Sequence, residues 1–532
     1  MENLIFGFAK IAIATTFIVL TCLYLYFRLI GSKYFARRNI PHLKPVFLLG
    51  NFYRANFVEN FGRLLMRYHM ENKKSKILGF WFFFRPSLIL TDLDILRRIL
   101  IRDFNNFRDR GIEVDLDLDP LLGHLFSLKG KKWRNLRVRL TPTFTSGKMK
   151  MMFPTMAKCG RELQEVLKKP AETGECVEVK DVLARYATDV ISSCAFGMET
   201  NSLQNPKSEF REFGKKIFKA DFKSVFINMI LVNFPKFMKL FGLKLVPKDI
   251  SDFFIGAVRD NIEYRERTNT KRNDFLQLLI QLMRTGKIED IQLMRTGKIE
   301  DVDKTPIDGL TDEELVQKFS LNEAAAQCFI FFLAGFDTSS TAMSFGLYEM
   351  ALNPDIQKRL QDEIDSTLAD CDGDITYDTL QSMEYLDMVV NETLRKYPPA
   401  GTLQRQCGKD YYIPELDFTI EKGTPVTIPV WGIHLDPDIY PNPDKFDPER
   451  FTPEEKAKRD TCAFLPFGEG PRNCIGNRFA LMQIKMALFY VMSAYDVVVT
   501  KTTPIPLKLK VSSIIPNPVG GMNLVFRKRQ NI

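Results

Sequence analysis

An uninterrupted apolar run, Ile11 to Phe27 (IAIATTFIVLTCLYLYF), carries no charge. A helix over it spans roughly 26 Å, close to the ~30 Å hydrocarbon core of a bilayer. Lys10 sits at the near edge, where its ammonium can snorkel toward headgroups. Arg28, Lys33, Arg37, Arg38 and Lys44 follow the run. A basic flank after a span predicts a retained anchor with the remaining chain on the cytosolic side. A cleaved secretory signal needs a basic start and a small-x-small cleavage site. Here the start is Met-Glu-Asn and the exit is basic and aromatic, so the anchor is the better reading. Pro41 and Pro45 then stiffen a short linker.

Beyond the linker, Ile77–Phe84 and Leu88–Leu90 are aromatic or branched runs separated by Arg85-Pro86-Ser87, which predicts a small hairpin. Helical periodicity dominates the next three hundred or so residues. The strongest pattern runs from Leu321 to Asn353. Ser320 and Glu323 form a capping box before it, and Asn353-Pro354 stops it. Such a helix is about 50 Å long, enough to cross a whole domain. A second helix, apolar on nearly every side, is predicted over Asn477–Tyr495. Short strands return at Pro425–Pro429 and Leu507–Val511. The fold class is therefore mainly α with small β-sheets (α+β). The segment IQLMRTGKIED occurs twice in tandem, at 280–290 and 291–301. Two polar copies before a long helix predict a loop insertion, which costs little entropy.

Composition narrows the class. The chain has 532 residues, 45% hydrophobic and 26% charged, which excludes disorder and a polytopic membrane protein. Lys and Arg total 74 against 65 acids, a net +9. That is mild basicity over a long chain, so no nucleic-acid partner is expected. Four scattered histidines (His42, His69, His124 and His434) argue against a His-built metal site. Nine cysteines, an odd number with no CxxC, argue against a disulfide scaffold and for a reducing compartment.

One cysteine stands apart. Phe467 to Gly476 reads FGEGPRNCIG, a tight Gly-rich loop directly before the Asn477 helix. A helix N-terminus favours a thiolate at Cys474, and N–H donors aimed at the sulfur would tune a metal bound there. Arg472 adds a positive charge that could hold a carboxylate. A bare Cys-x-Gly would be a structural cysteine; the whole pattern Phe-x-x-Gly-x-Arg-x-Cys-x-Gly is not. It closely resembles the haem-binding loop of the cytochrome P450 superfamily.

Four further segments carry the same resemblance. Glu392 and Arg395 share a helix face, and Pro448-Glu449-Arg450-Phe451 follows at the spacing at which the family forms a buried Glu–Arg–Arg network. Ala334-Gly335-Phe336-Asp337-Thr338 matches the family's oxygen-binding groove. Thr338 can bend the helix by bonding its backbone, and Gly335 permits close approach of a flat ligand. Trp133 and Arg137 lie one turn apart and can both donate to an anion, though alone such a pair reads as a cation–π surface contact. Arg405, in Leu403-Gln404-Arg405-Gln406, is the fourth. The segment from Leu140, LTPTFTSGKMKMMFP, is similar to insect microsomal, xenobiotic-metabolising members. His434 lies in another familiar loop, as a propionate contact or a packing residue. The linker departs from the family in lacking its tight proline cluster.

The resemblance implies a cytochrome P450 fold preceded by one N-terminal transmembrane helix. Residues 1–30 are then the anchor, 31–50 the basic and proline-containing linker, and 51–532 the haem-thiolate monooxygenase domain. It implies haem as cofactor, with Cys474 as the iron ligand. Arg472, Trp133, Arg137, Arg405, Phe467 and Gly476 form the cofactor site, and Asp337 and Thr338 relay protons to dioxygen. The implied reaction inserts one oxygen atom into an apolar small molecule and reduces the other to water with NADPH electrons. Neither GxGxxG before a helix nor GxxxxGK[ST] occurs, so NADPH is not bound here. Electrons are then expected from an NADPH-dependent cytochrome P450 reductase, with cytochrome b5 as a further candidate donor. Lys131, Lys132, Arg134 and Lys148 form a candidate docking patch. Phe329, Phe331, Phe332, Gly111–Phe126 and Ile514–Ile515 are candidate pocket linings. The expected location is the endoplasmic reticulum membrane, with lipid around the anchor. Two rival readings remain at this point: a non-catalytic haem-binding or ligand-sequestering protein, and a peroxide-dependent haem-thiolate isomerase.

Overall fold

A computed structural model describes residues 2–529 apart from 30, 48, 52–53, 55–57, 84, 219–238, 287–315, 372, 374 and 512. Helix α1 (Glu2–Leu29) covers the N-terminal apolar run, and its side chains from Ile13 onward are mostly exposed. Phe27 closes its end by packing edge-on against Trp81, with ring centroids 5.9 Å apart. Among the described residues, the helix that is long and apolar enough to cross a membrane is Leu321–Leu352. It is 67% buried in its apolar stretch and serves as a core helix; α1 contributes the shorter apolar stretch Ile13–Leu29.

The hairpin forms from β1 (Ile77–Phe82) and β2 (Arg85–Leu90). Its turn falls earlier than the Arg85-Pro86-Ser87 expected from sequence, at Phe83, whose φ is +54°. Pro86 therefore lies inside β2, opposite Trp81 and outside the paired Leu88–Ile89 stretch on the other edge, where its missing N–H costs no ladder bond. Among the helices that follow are α2 (Gly130–Leu140), α3 (Ser146–Thr173), α4 (Val179–Ile191), α5 (Glu209–Phe218), α6 (Lys248–Thr268), α7 (Phe275–Thr285), α8 (Leu321–Leu352) and α9 (Glu384–Lys396). Strands β3 (Leu403–Gln406) and β4 (Pro425–Ile428) complete a four-stranded sheet of order β1-β2-β4-β3. Helix α10 (Asn477–Ala494) leads directly into β5 (Tyr495–Val499), which pairs with β6 (Asn523–Lys528). Leu507–Val511 is not a strand. It makes one isolated bridge, Leu509 to Pro518, because the chain there turns back through Pro504, Pro506 and Pro516.

The central helix α8 starts where sequence predicts. Ser320 accepts from the Glu323 N–H, and the Glu323 carboxylate accepts from the Ser320 N–H at 2.8 Å. Its aromatic face packs into a core cluster in which Phe332 meets Phe254 (5.2 Å) and Phe210 (5.7 Å). Phe329 and Phe332 are thus core residues, because this face of α8 is covered by α6 and by Phe196 in the turn that follows α4.

Behind the domain, Glu392 and Arg395 are fully buried and joined by two bonds, 2.7 and 2.8 Å. Arg450 adds a third charge at 3.5 Å from Glu392. Arg395 also donates to the carbonyls of His434 (2.9 Å) and Pro443 (2.8 Å), so one guanidinium knits α9 to the segment that precedes the Cys474 loop. Burial pushes the Glu392 carboxyl up, and the Arg395 bonds oppose that shift.

The second copy of the duplicated segment and the end of the first lie outside the described residues. Their flanks are closely placed. Gly286, at φ +69°, abuts the Val316 carbonyl, and buried Arg139 donates to both Gly286 and Gln317. Because the contacts at Gly286 and Gln317 lie outside residues 291–301, a change of length at the second copy is tolerated. Deletion of residues 291–301 is expected to change unfolding free energy by less than about 0.6 kcal/mol, measured by denaturant titration. Arg395→Met, by contrast, strands a buried carboxylate at about 3–5 kcal/mol, so the yield of soluble folded protein should fall sharply on expression.

Candidate active site at the Cys474 loop

The loop before α10 is held by backbone and guanidinium bonds. The Cys474 N–H donates to the Phe467 carbonyl at 2.8 Å, which closes the loop on itself. Gly468 and Gly470 take φ of +73° and +75°, and Gly470 presses against the Leu100 backbone, where no side chain fits. Arg137, on α2, donates to the Asn473 carbonyl at 2.9 Å and to its Oδ1 at 2.7 Å. Arg472 is buried and donates to the carbonyls of Arg108 (2.8 Å), Phe126 (3.1 Å) and Leu128 (2.7 Å). Trp133 lies under it, with the guanidinium carbon 4.6 Å from the ring centroid. The sequence paired Trp133 with Arg137; the fold instead stacks Trp133 on Arg472, while Arg137 reaches the loop backbone.

Arg110, Arg137, Arg405 and Arg472 come close enough around this loop to act on one another's charge, and Cys474 acts on Arg110. Burial, and then the neighbouring Arg472, Arg405 and Arg137, hold Arg110 well below the usual guanidinium range. Burial lowers Arg405 to about 10. Burial and then Arg405 lower Arg472 to about 9, against the pull of Asp109 at 3.5 Å. The Nε atoms of Arg405 and Arg472 are buried without a hydrogen-bond partner among the described residues. So dense a cluster of like charge is suited to an anionic group bearing several acceptors. Arg110 was not legible in the sequence. Its contacts to Phe126 and Arg472 span up to 362 positions, and Asp109-Arg110-Gly111 by itself reads as a surface turn.

Facing the loop is α8. At 100° per residue Phe331, Ala334 and Thr338 share one stripe. Ala334 is exposed midway along a buried helix, and Cys474 is exposed too. Phe144 joins the two walls. Its ring stands 5.2 Å from that of Phe331, and a Cβ on Gly476 would lie 3.7 Å from its edge. Thr338 Oγ1 donates to the Ala334 carbonyl. Gly335 does not face this side. A Cβ there would come within 2.8 Å of Ile191 Cδ1, so its lack of side chain serves helix packing against α4, not a flat ligand. Asp337 pairs with Lys180 at 3.5 Å, on the wall of a polar cleft of about 900 Å³ that also includes Arg211, Asp249 and Lys510.

A sequence profile of the family Cytochrome P450 matches residues 40–523. The chain is 42% identical to Cytochrome P450 6a2 of Drosophila melanogaster over 94% of its length and 96% of the relative. It is 40% identical to Cytochrome P450 6k1 of Blattella germanica, covering 95% and 94%. The figures for Cytochrome P450 6A1 of Musca domestica are 40%, 95% and 96%.

The chain belongs to the cytochrome P450 family. It is a P450 monooxygenase. Haem is the cofactor of this family. The residues present fit it, since two propionate carboxylates match the unsatisfied guanidinium donors and a thiol lies beside them.

His434 is a packing residue of this P450. Its Nε2 accepts from the Leu465 N–H at 2.7 Å and its Nδ1 donates to the Arg395 carbonyl at 3.2 Å. Both ring nitrogens are used within the fold, which leaves neither for a propionate. Burial, and then the Arg395 charge, lower it to about 3. Above about pH 6.5 the ring is neutral in folded and unfolded chains alike. As pH falls from there toward 3, only the unfolded chain takes up the proton, so stability declines by up to ~1.4 kcal/mol per pH unit. The His434→Asn variant should show a shallower fall in thermal midpoint between about pH 6.5 and pH 5.

Proposed function

We propose that this chain is an N-terminally anchored monooxygenase of the endoplasmic reticulum membrane that hydroxylates or epoxidises apolar small molecules. Xenobiotics, insecticides, plant toxins and endogenous hormones or lipids are its candidate substrates. The observation that carries the reading is the guanidinium cluster around Cys474, set opposite the Ala334–Thr338 stripe. Haem, when bound, supplies the reductive activation of dioxygen. Cys474 would hold its iron through sulfur, on a loop that the Phe467 and Arg137 bonds hold rigid. Arg110, Arg405 and Arg472 would take the propionates, with Trp133 buttressing Arg472 and Gly476 giving Phe144 room.

The proton side of the reaction falls to Thr338 and Asp337. The Thr338 hydroxyl, held by the Ala334 carbonyl, has lone pairs left to receive a proton and pass one on. Asp337 stands beside the polar cleft, where its carboxylate can exchange protons with water, and Lys180 fixes its orientation. Electrons would come from an NADPH-dependent cytochrome P450 reductase or from cytochrome b5. Exposed Lys131 and Lys132, on the same helix as Trp133 and Arg137, support docking of an acidic partner there. The exposed apolar side chains of α1 support insertion in lipid.

Two variants test the assignment. Cys474→Ala should abolish the carbon monoxide difference band of a thiolate-ligated haem. Thr338→Ala should keep that band while product formed per NADPH falls at least about tenfold, with peroxide in its place. Retained coupling would remove Thr338 from the proton path.

A further inference from the structure

Gln327 is completely buried on α8, and its side-chain amide engages a distant stretch of backbone. Nε2 donates to the Gly123 carbonyl at 3.0 Å, and Oε1 accepts from the Leu125 N–H at 3.1 Å. One amide thus satisfies a carbonyl and an N–H two residues apart, as a neighbouring strand would. The same stretch is gripped from its other end. Arg472 donates to the Phe126 and Leu128 carbonyls, and Arg110 donates to the Phe126 carbonyl at 3.0 Å. Between the two grips, the Ser127 N–H donates to His124 Nδ1 at 3.3 Å, which keeps the stretch compact. Residues 123–128 therefore form a strap from the central helix to the Cys474 loop.

The strap starts on the α8 face that carries the stripe and ends at Arg472, two residues before Cys474. Gln327, Phe331, Ala334 and Thr338 lie within about 60° of one another on α8. Gln327 is about 10 Å from Ala334 along the helix axis. Phe126 is 47% exposed in the strap, with the Arg110 guanidinium 4.2 Å from its ring centroid.

We propose that Gln327 is a positioning residue for substrate selectivity: by pinning Gly123 and Leu125 it holds the strap, and Phe126 with it, as a rigid wall before Ala334 and Thr338. The inference rests on the monooxygenase reading of that site. Losing the amide leaves two buried backbone groups without partners, and the strap must then move to satisfy them. A wall that moves accepts bulkier ligands and holds small ones less closely. Gln327 itself touches none of the guanidinium donors offered to the cofactor; these hold the far end of the strap through the Phe126 and Leu128 carbonyls, so loss of the near grip is expected to leave cofactor loading in place.

The test uses the full-length protein with reductase in phospholipid vesicles, after the wild type has shown its haem content, thiolate carbon monoxide band and turnover of an alkylbenzene. A wild type lacking the band or the turnover refutes the monooxygenase reading itself. Gln327→Met keeps the volume and removes both bonds to the strap, together with the Nε2 bond to the Glu323 carbonyl within α8; Gln327→Glu keeps an acceptor for the Leu125 N–H and removes the donor to Gly123 and Glu323. With alkylbenzenes of increasing size as probes, the Met variant should retain haem content and the band. Its spectral Kd for the smallest ligand should weaken about fivefold relative to the largest, and its ratio of positional products should shift by a similar factor. The Glu variant should fall between Met and wild type. Hydrogen exchange at the Leu125 amide should be slow in wild type and in Glu, and fast in Met. Size dependence and product ratio within about twofold of wild type, in a Met variant that still holds haem, overturn the proposal. If the Met variant does not load haem, the Glu variant decides by the same two readouts, and rapid exchange of the Leu125 amide in wild type overturns the proposal directly.

Discussion

Arg110, Arg137, Arg405 and Arg472 are drawn around one short loop, and the loop carries Cys474. Like charges do not gather in a protein interior without something to hold them. Part of the holding is done by neutral groups. The carbonyls of Arg108, Phe126, Leu128, Gln404 and Asn473 accept from these arginines, so each guanidinium is wired to backbone before any ligand is considered. The rest is left to an anion, and a porphyrin with two carboxylates and a metal for the sulfur answers both needs. The fold thus trades stability of the bare polypeptide for a site that is organised in advance.

That constraint explains why so much of the structure converges on residues 123–128 and 467–476. The strap is gripped by Arg472 on one side and by Gln327 on the other, so a guanidinium of the Cys474 loop and a side chain of the central helix hold the same six residues. The Glu392–Arg395–Arg450 network lies behind. Arg395 fixes the His434 carbonyl, and His434 fixes the Leu465 N–H just ahead of the Cys474 loop. Asp337 and Thr338 are neighbours in sequence, yet one turns to Lys180 and the polar cleft and the other to the Ala334 carbonyl. Adjacent residues on a helix diverge by about 100°, which suits a path that takes protons from water on one side and delivers them on another.

The linear chain was enough for everything governed by short-range pattern. The capping box at Ser320 and Glu323, the stop at Asn353-Pro354, the helix after Cys474 and the Glu392–Arg395 pair depend on residues within a few positions of each other. The tight turn of the Cys474 loop was legible for the same reason. Where the reading slipped, the competing force was a packing contact: Gly335 makes room for Ile191, Phe329 and Phe332 fill the core, and Pro86 is tolerated within a strand because no partner needs its N–H. Tertiary structure alone decided which arginines meet, that Trp133 stacks on Arg472, that His434 is spent on backbone groups, and that Gln327 reaches Gly123 and Leu125 from some two hundred positions away. Such contacts are set by where whole helices dock, and helix docking depends on the summed burial of many side chains, which no local spacing encodes.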